Sequence, residues 1–240
     1  MTSPNYVVLN AQRHHALSLI SDPGFRHAEK SQIAALVFQE IVAVASCMPV
    51  VVLAPDSDKP ALSALFGLTA NTNLFAGESW QGHVVPMSVQ VAPFNYAVED
   101  QRLLTLIDEK SPLWQASGQR LFSADHAPTP LLKQRQTLLK ELASGAPRAE
   151  QFIKTLSDQQ LLKPLTVRIT DIDGQSNELT GMFTVDETCL GNLSAETLKQ
   201  LHDNGMLTAI HAMLLSLRQF NRLVQLARQK GQPVQSVQLS

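Results

Sequence analysis

Along the first half of the chain, apolar residues come in short runs separated by turn formers: Val7 to Leu9, Ile33 to Phe38, Val50 to Leu53, Leu62 to Phe66, Val84 to Val91 and Leu103 to Ile107. Brief apolar runs bounded by Gly, Pro, Asn, Asp or Ser read as short buried strands. Pro55-Asp56-Ser57-Asp58 supplies one turn, and Gly77-Glu78-Ser79 supplies another just before Trp80. A short helical or irregular segment over Glu40 to Cys47 separates the second run from the third.

After residue 128 the pattern becomes helical. Thr129 is placed to cap a helix with Pro130 in its first turn, and Leu131, Leu132, Leu138, Leu139 and Leu142 recur on one stripe. Ser144-Gly145-Ala146-Pro147 reads as the end of that helix, and a second one follows with Phe152, Ile153 and Leu156 inward. Ser157-Asp158-Gln159-Gln160 has capping-box spacing for a further short turn that stops before Pro164. From Leu165 the period is two: Leu165, Val167 and Ile169 alternate with Thr166, Arg168 and Thr170. Asp173-Gly174 turns the chain and Leu179 to Val185 returns, which makes a β-hairpin over about 165–185. Ser194 caps the next helix, with Leu193 and Leu198 as a hydrophobic staple, and Asn204-Gly205 ends it. A long last helix carries Ile210, Met213, Leu214, Leu217, Val224 and Ala227 up to Gly231 and Pro233, with a frayed tail beyond. The expectation is one α+β domain over residues 1–240: short strands in the N-terminal half, the hairpin, and packed helices in the C-terminal half.

Composition narrows the partner classes. The 240 residues are 44% hydrophobic, enough for a sizeable core, and 19 Lys and Arg against 21 Asp and Glu create no field that draws nucleic acid. The most apolar stretch, Ile33 to Ala54, is split by Gln39, Glu40 and Pro49, whereas a transmembrane helix needs about 20 uninterrupted residues. Met1 to Tyr6 lacks the basic and apolar regions of a secretory signal, and Cys47 and Cys189 are far apart. A cytoplasmic protein with reduced thiols is the expectation.

Local chemistry motifs are sparse. Gly77-Glu78-Ser79-Trp80-Gln81-Gly82 places its second glycine one residue late for a nucleophile elbow, and Asp171-Ile172-Asp173-Gly174 lacks the sixth-position glycine of a calcium loop. Neither phosphate-cradling glycine motif is present, and none of the seven histidines has H-x-x-x-H or H-E-x-x-H spacing, so no cofactor and no metal are expected. Asp108-Glu109 and Asp186-Glu187 pair carboxylates that face opposite ways on a strand. His83 and His126, in loop-like segments, are the acid–base candidates. Asn73, Trp80, His83, Phe94 and Tyr96, set among Gly82, Pro86 and Pro93, form the candidate ligand or partner surface, in competition with a core role for Leu74, Phe75 and Phe94. Arg218 and Arg222, at i and i+4 of the last helix, are candidates for contact with an anionic partner or for complementing the helix dipole.

A succession of spaced residues adds a resemblance. Gly67-Leu68, Asn73-Leu74-Phe75, Trp80, Val85-Pro86, Pro93-Phe94, Ile107-Asp108, Leu121-Phe122 and Pro128-Thr129 resemble the bacterial SapC family. Its C-terminal half is matched in order by Leu161-Leu162 before Pro164, Asp173-Gly174, Leu179-Thr180-Gly181, Val185-Asp186, Leu193-Ser194, Gly205 and the Ser216-Leu217 helix. The family pattern has Tyr-Pro before the second buried strand, where this chain has Met48-Pro49. The resemblance implies an association with bacterial surface layers, carries no catalytic residues across, and stands against the missing secretory signal.

Three functional readings follow. The first is a non-enzymatic binding or accessory protein of the cell envelope that contacts a protein, peptide or glycan partner. The second is a small enzyme using His83 or His126 as acid–base group. The third is an oligomeric structural component.

Overall fold

Residues 5–240 are described by the structure, a computed structural model; Met1 to Pro4, part of the stretch inspected for a secretory signal, lie outside the described residues. The N-terminal half contains β1 (Tyr6–Val8), α1 (Ala11–His14), β2 (Ser18–Leu19), β3 (Ile33–Ala35), α2 (Ile41–Ala45), β4 (Val50–Leu53), β5 (Ala61–Leu65), α3 (Met87–Gln90), β6 (Phe94–Glu99), β7 (Arg102–Asp108) and β8 (Gln119–Arg120). Then come α4 (Pro130–Asp158), β9 (Leu162–Asp171), β10 (Ser176–Val185), α5 (Glu187–Gly191), α6 (Ala195–Asp203), α7 (Met206–Ser216), α8 (Phe220–Gln229) and β11 (Val234–Leu239). The fold is α+β. A six-stranded antiparallel sheet runs β11-β9-β10-β4-β5-β3, a three-stranded one runs β1-β7-β6, and β2 pairs with β8.

Helix α4 joins two hydrophobic clusters. Its N-terminal part contributes Leu132, Leu139 and Leu142 to a cluster with Val37, Val91, Phe94, Ile107, Leu121 and Phe122. Its C-terminal part contributes Ala149, Phe152, Ile153 and Leu156 to the larger core, which holds the six-stranded sheet and α7 and α8. This corrects the expected break at Ser144 to Pro147: the helix runs unbroken for 29 residues with Pro147 inside it. Burial decides the matter. An interior proline costs about 3 kcal/mol, while each fully buried Leu, Ile or Phe side chain returns about 1.5–3 kcal/mol. Gly145 stands at the crossing, where a Cβ would come within 2.8 Å of Val37 Cβ and of the Gln39 amide. The supposed capping box at Ser157 to Gln160 is in fact the exit of the same helix, with Gln160 left-handed at φ 53°.

Other expectations meet local chemistry that periodicity does not display. Val84 to Val91 does not form a strand; Pro86 caps the single helical turn of α3. The buried Glu40 carboxylate accepts from Met87 N–H at 2.7 Å and from Val37 N–H at 3.2 Å, tying α3 to the turn before α2. Burial, with Glu141 adding its charge, pushes the Glu40 carboxyl up against the pull of those two donors. Strand β6 has no counterpart in the sequence reading, because its hairpin with β7 turns on Asp100 and Gln101, both at positive φ without glycine. The hairpin near 165–185 is present and longer than its apolar core, with Asp171 Oδ1 accepting from the N–H groups of Asp173 and Gln175. Pro164 is tolerated within β9 because β11 and Ser240 pair with that strand only from Thr166 onward.

The long last helix is divided. Ser216, fully buried, donates to Met213 C=O at 2.6 Å and accepts from Val50 N–H at 2.9 Å, and a 3-10 turn over Leu217–Gln219 separates α7 from α8. A serine that bonds back to its own helix while accepting from a strand favours such a change of axis. The tail is not frayed: β11 completes the sheet against β9, with Val237 opposite Ile169, and Ser240 and Thr166 exchange both backbone bonds.

Two stability measurements check this account. Pro147→Ala restores an amide hydrogen inside an already continuous helix and is expected to raise stability by about 1–3 kcal/mol in urea titration. Gly145→Val is expected to lower it by about 1–3 kcal/mol, because any added Cβ falls within 2.8 Å of the buried Val37 Cβ.

Candidate functional site

The loop from Asn73 to Val84 contains most of the candidate binding residues, and its own packing consumes several of them. Asn73 is buried; its Oδ1 accepts from the N–H groups of Phe75 at 2.9 Å and Ala76 at 3.1 Å, and its Nδ2 donates to Ala28 C=O at 3.1 Å. Trp80 stacks on Phe75 with ring centroids 5.5 Å apart and meets Phe25 and Phe66 edge-on, while its indole N–H donates to Val84 C=O at 2.7 Å. Gly82 permits that bond, since a Cβ there would lie 2.9 Å from the indole nitrogen. Trp80 is therefore a half-buried anchor of the loop.

His83 is exposed, with Nε2 2.8 Å from Ser46 Oγ. The Ser46 hydroxyl itself donates to Ala43 C=O, so in this arrangement the imidazole N–H donates to Ser46. Arg222 reaches the same neighbourhood from α8, donating to Gln81 C=O with its guanidinium 5.9 Å from the Phe75 ring centroid. Burial pushes the adjacent Cys47 thiol up, opposed by the Val84 N–H and the Arg222 charge. Trp80, His83 and Arg222 thus converge, although the sequence placed Arg222 in a candidate group separate from the other two. Arg218 does not share one unbroken helical face with Arg222; it is exposed in the 3-10 turn before α8. His126 belongs to another loop, exposed at φ 61° and edge-on to His15 with centroids 5.4 Å apart.

Phe94 and Tyr96 lie on β6, away from the Trp80 cluster. Phe94 is buried in the smaller core and packs edge-on to Trp114. Together with Asn95 and Tyr96 it lines a cleft of about 350 Å³ where the two hydrophobic clusters meet. The opposite wall is Ala35, Leu36, Val37, Ala61 and Leu62, the floor is Leu142, Ala146 and Ala149 of α4, and Tyr6, Ser88 and Glu150 add polar groups. Ser88 Oγ donates to Ala35 C=O at 2.7 Å, which holds α3 against that wall. Burial raises the Tyr6 phenol, the nearby Asp108 charge adds to the effect, and the Asn95 side chain opposes it. Sequence reasoning missed Tyr6, Asn95 and Glu150. They come from three separated segments, and none belongs to a local motif.

A second cleft, about 470 Å³, includes Asp22, Arg26, His27 and Glu78. Asp22 Oδ2 lies 2.9 Å from His27 Nδ1 and accepts the His27 backbone N–H at 3.2 Å, while His27 Nε2 lies 3.2 Å from Val89 C=O. Both ring nitrogens are engaged, so the pair works as a strut between the loop at Asp22 and α3. Burial alone would push Asp22 up, but the His27 ring and the amides of Arg26 and His27 hold its carboxyl below the usual value of 3.8. A depressed native value means that the carboxylate stabilises the fold above pH 3.8 and ceases to as pH falls through the native value. Asp22→Asn is therefore expected to cost about 1–2 kcal/mol at pH 7. Its melting temperature should converge on that of the wild type below pH 3.8.

Among the described residues no group of three or more His, Cys, Asp or Glu is gathered to hold a metal ion, and no helix is long and apolar enough to cross a membrane. No curated protein and no solved structure matches the chain. The SapC family model does match, over residues 9–223, from the end of β1 into α8, and the chain belongs to the SapC family.

Proposed function

We propose that this chain is a non-enzymatic binding or accessory protein that seats part of a protein, peptide or glycan partner in the cleft between β6, α4 and the segment following β3. The observation that carries the reading is the cleft itself, about 350 Å³ with mostly apolar walls and a few polar groups. Such a combination is characteristic of ligand sites, where apolar area drives association and sparse polar groups fix orientation. Helix α4 supplies the floor through Ala146 and Ala149, whose small side chains leave the space open. The link to the bacterial surface layer, implied by the family resemblance, belongs to the same proposal.

Filling the floor tests it. Ala146→Trp places an indole in the cleft, while Lys133→Ala changes an exposed position on the same helix. Tagged wild-type protein and both variants are exposed to native lysate, and retained macromolecules and small molecules are identified by mass spectrometry. Material held in stoichiometric amount by the wild type and by Lys133→Ala is expected to be lost from Ala146→Trp, with the circular dichroism spectrum unchanged. Equal retention by all three overturns the cleft as the binding site.

A further inference from the structure

Resting on the reading of the cleft as a binding site, we infer that its occupant is an extended peptide segment that adds as a strand to the free edge of β6 and brings a basic side chain to Glu150. The first observation is the state of that edge. In the order β1-β7-β6, strand β6 is the last, with no strand on its outer side. Asp108 N–H donates to Pro93 C=O at 3.0 Å, and the two-residue turn at Asp100 and Gln101 closes on the Glu99–Arg102 pair. Antiparallel pairs alternate, so Asn95, Ala97 and Glu99 exchange bonds with β7, whereas the backbone groups of Phe94, Tyr96 and Val98 point outward. Phe94 N–H is taken by Val91 C=O at 3.0 Å, and Tyr96 N–H by the Asn95 side chain at 2.8 Å. The Asn95 amide holds the place that a partner's carbonyl would take, and Val98, 62% exposed, continues the edge into solvent.

The second observation is charge. Among the described residues Glu150, exposed at the rim, is the only charged residue lining the cleft, and it makes no ion pair and no side-chain hydrogen bond. Asp108 stands beside Tyr6 at the β1 side, while Glu99 and Asp100 at the hairpin do not line the cleft and Glu99 has Arg102 opposite it. No Lys or Arg lines the cleft. A cationic side chain is the complement of such a rim, and a charge-assisted bond to Glu150 would fix the register of the added strand. Strand periodicity supplies the remainder: alternate side chains of the peptide face the same way, so an apolar one enters against Leu62, Leu142 and Ala146 while its backbone pairs with Tyr96 and Val98.

The test uses the full chain, ¹⁵N-labelled, with three synthetic probes: acetyl-Thr-Val-Thr-Lys-Thr-Val-Thr-amide, in which Val and Lys share one face of the strand, the same peptide with Glu for Lys, and the Lys peptide N-methylated at alternate amides. The Lys peptide is expected to bind and to shift the amide signals of Tyr96 and Val98. The Glu and N-methylated peptides should bind about tenfold more weakly, and Glu150→Gln should weaken the Lys peptide about fivefold or more with the spectrum otherwise unchanged. Equal binding of the Lys and Glu peptides, indifference to N-methylation, or an unaltered affinity in Glu150→Gln overturns the inference. The uncharged apolar dye Nile red separates the two levels. If it binds the wild type, is excluded by Ala146→Trp, and the Lys peptide does not bind, the peptide inference falls and the cleft reading stands. If neither dye nor peptide binds, both fall.

Discussion

Continuity of helix α4 through Pro147 is the constraint on which the remaining architecture depends. One rigid element contributes Leu139 and Leu142 to the cluster behind β6 and Phe152 and Ile153 to the core behind the six-stranded sheet. Without that shared helix the two clusters would be linked mainly through the Val37 to Glu40 turn and α3. The close approach at Gly145 is where the two halves are locked, and the cleft opens alongside it, where Ala146 and Ala149 keep the helix surface low. The cleft is thus a consequence of joining two clusters over a stretch of small residues.

Around that frame, polar groups act mainly as fasteners. Glu40 joins the turn before α2 to α3, the Asp22–His27 pair joins another loop to α3, and Ser216 joins the end of α7 to β4. Three of the basic residues near the C-terminus have the same character: Arg222 donates to Gln81 C=O, Lys230 to the carbonyls of Asn73 and Ala76, and Arg228 to those of Val234 and Gln235. Cations whose acceptors are backbone carbonyls hold loops in place, whereas Arg218 is exposed in the 3-10 turn with no such acceptor among the described residues. Glu150, exposed at the cleft, likewise has no ion-pair partner among the described residues.

Legibility followed the range of the interactions. Val50 to Leu53, the hairpin around Asp173-Gly174 and the helix between Ser194 and Gly205 were readable because capping, turn chemistry and a two-residue or helical period act within a few positions. Pro147 misled because its local penalty is visible in the chain, while the compensating burial of Phe152 and Ile153 against distant strands is not. Strand β6 was missed because its turn lacks glycine, and β11 because its stability comes from pairing with β9, more than sixty residues earlier.

By itself, then, the sequence determined the α+β class, the family and the individual short elements, since those rest on period, caps and many spaced identities along one chain. Only the tertiary structure decided what the chemistry-bearing residues face. It turned Asn73 and Trp80 inward as loop anchors and set His83 within hydrogen-bond reach of Ser46. It also gathered Tyr6, Asn95 and Glu150, widely separated in the chain, around one cleft. The physical reason is that a side chain's exposure and charge environment are set by whichever distant segments pack against it, and no spacing rule along the chain encodes that meeting.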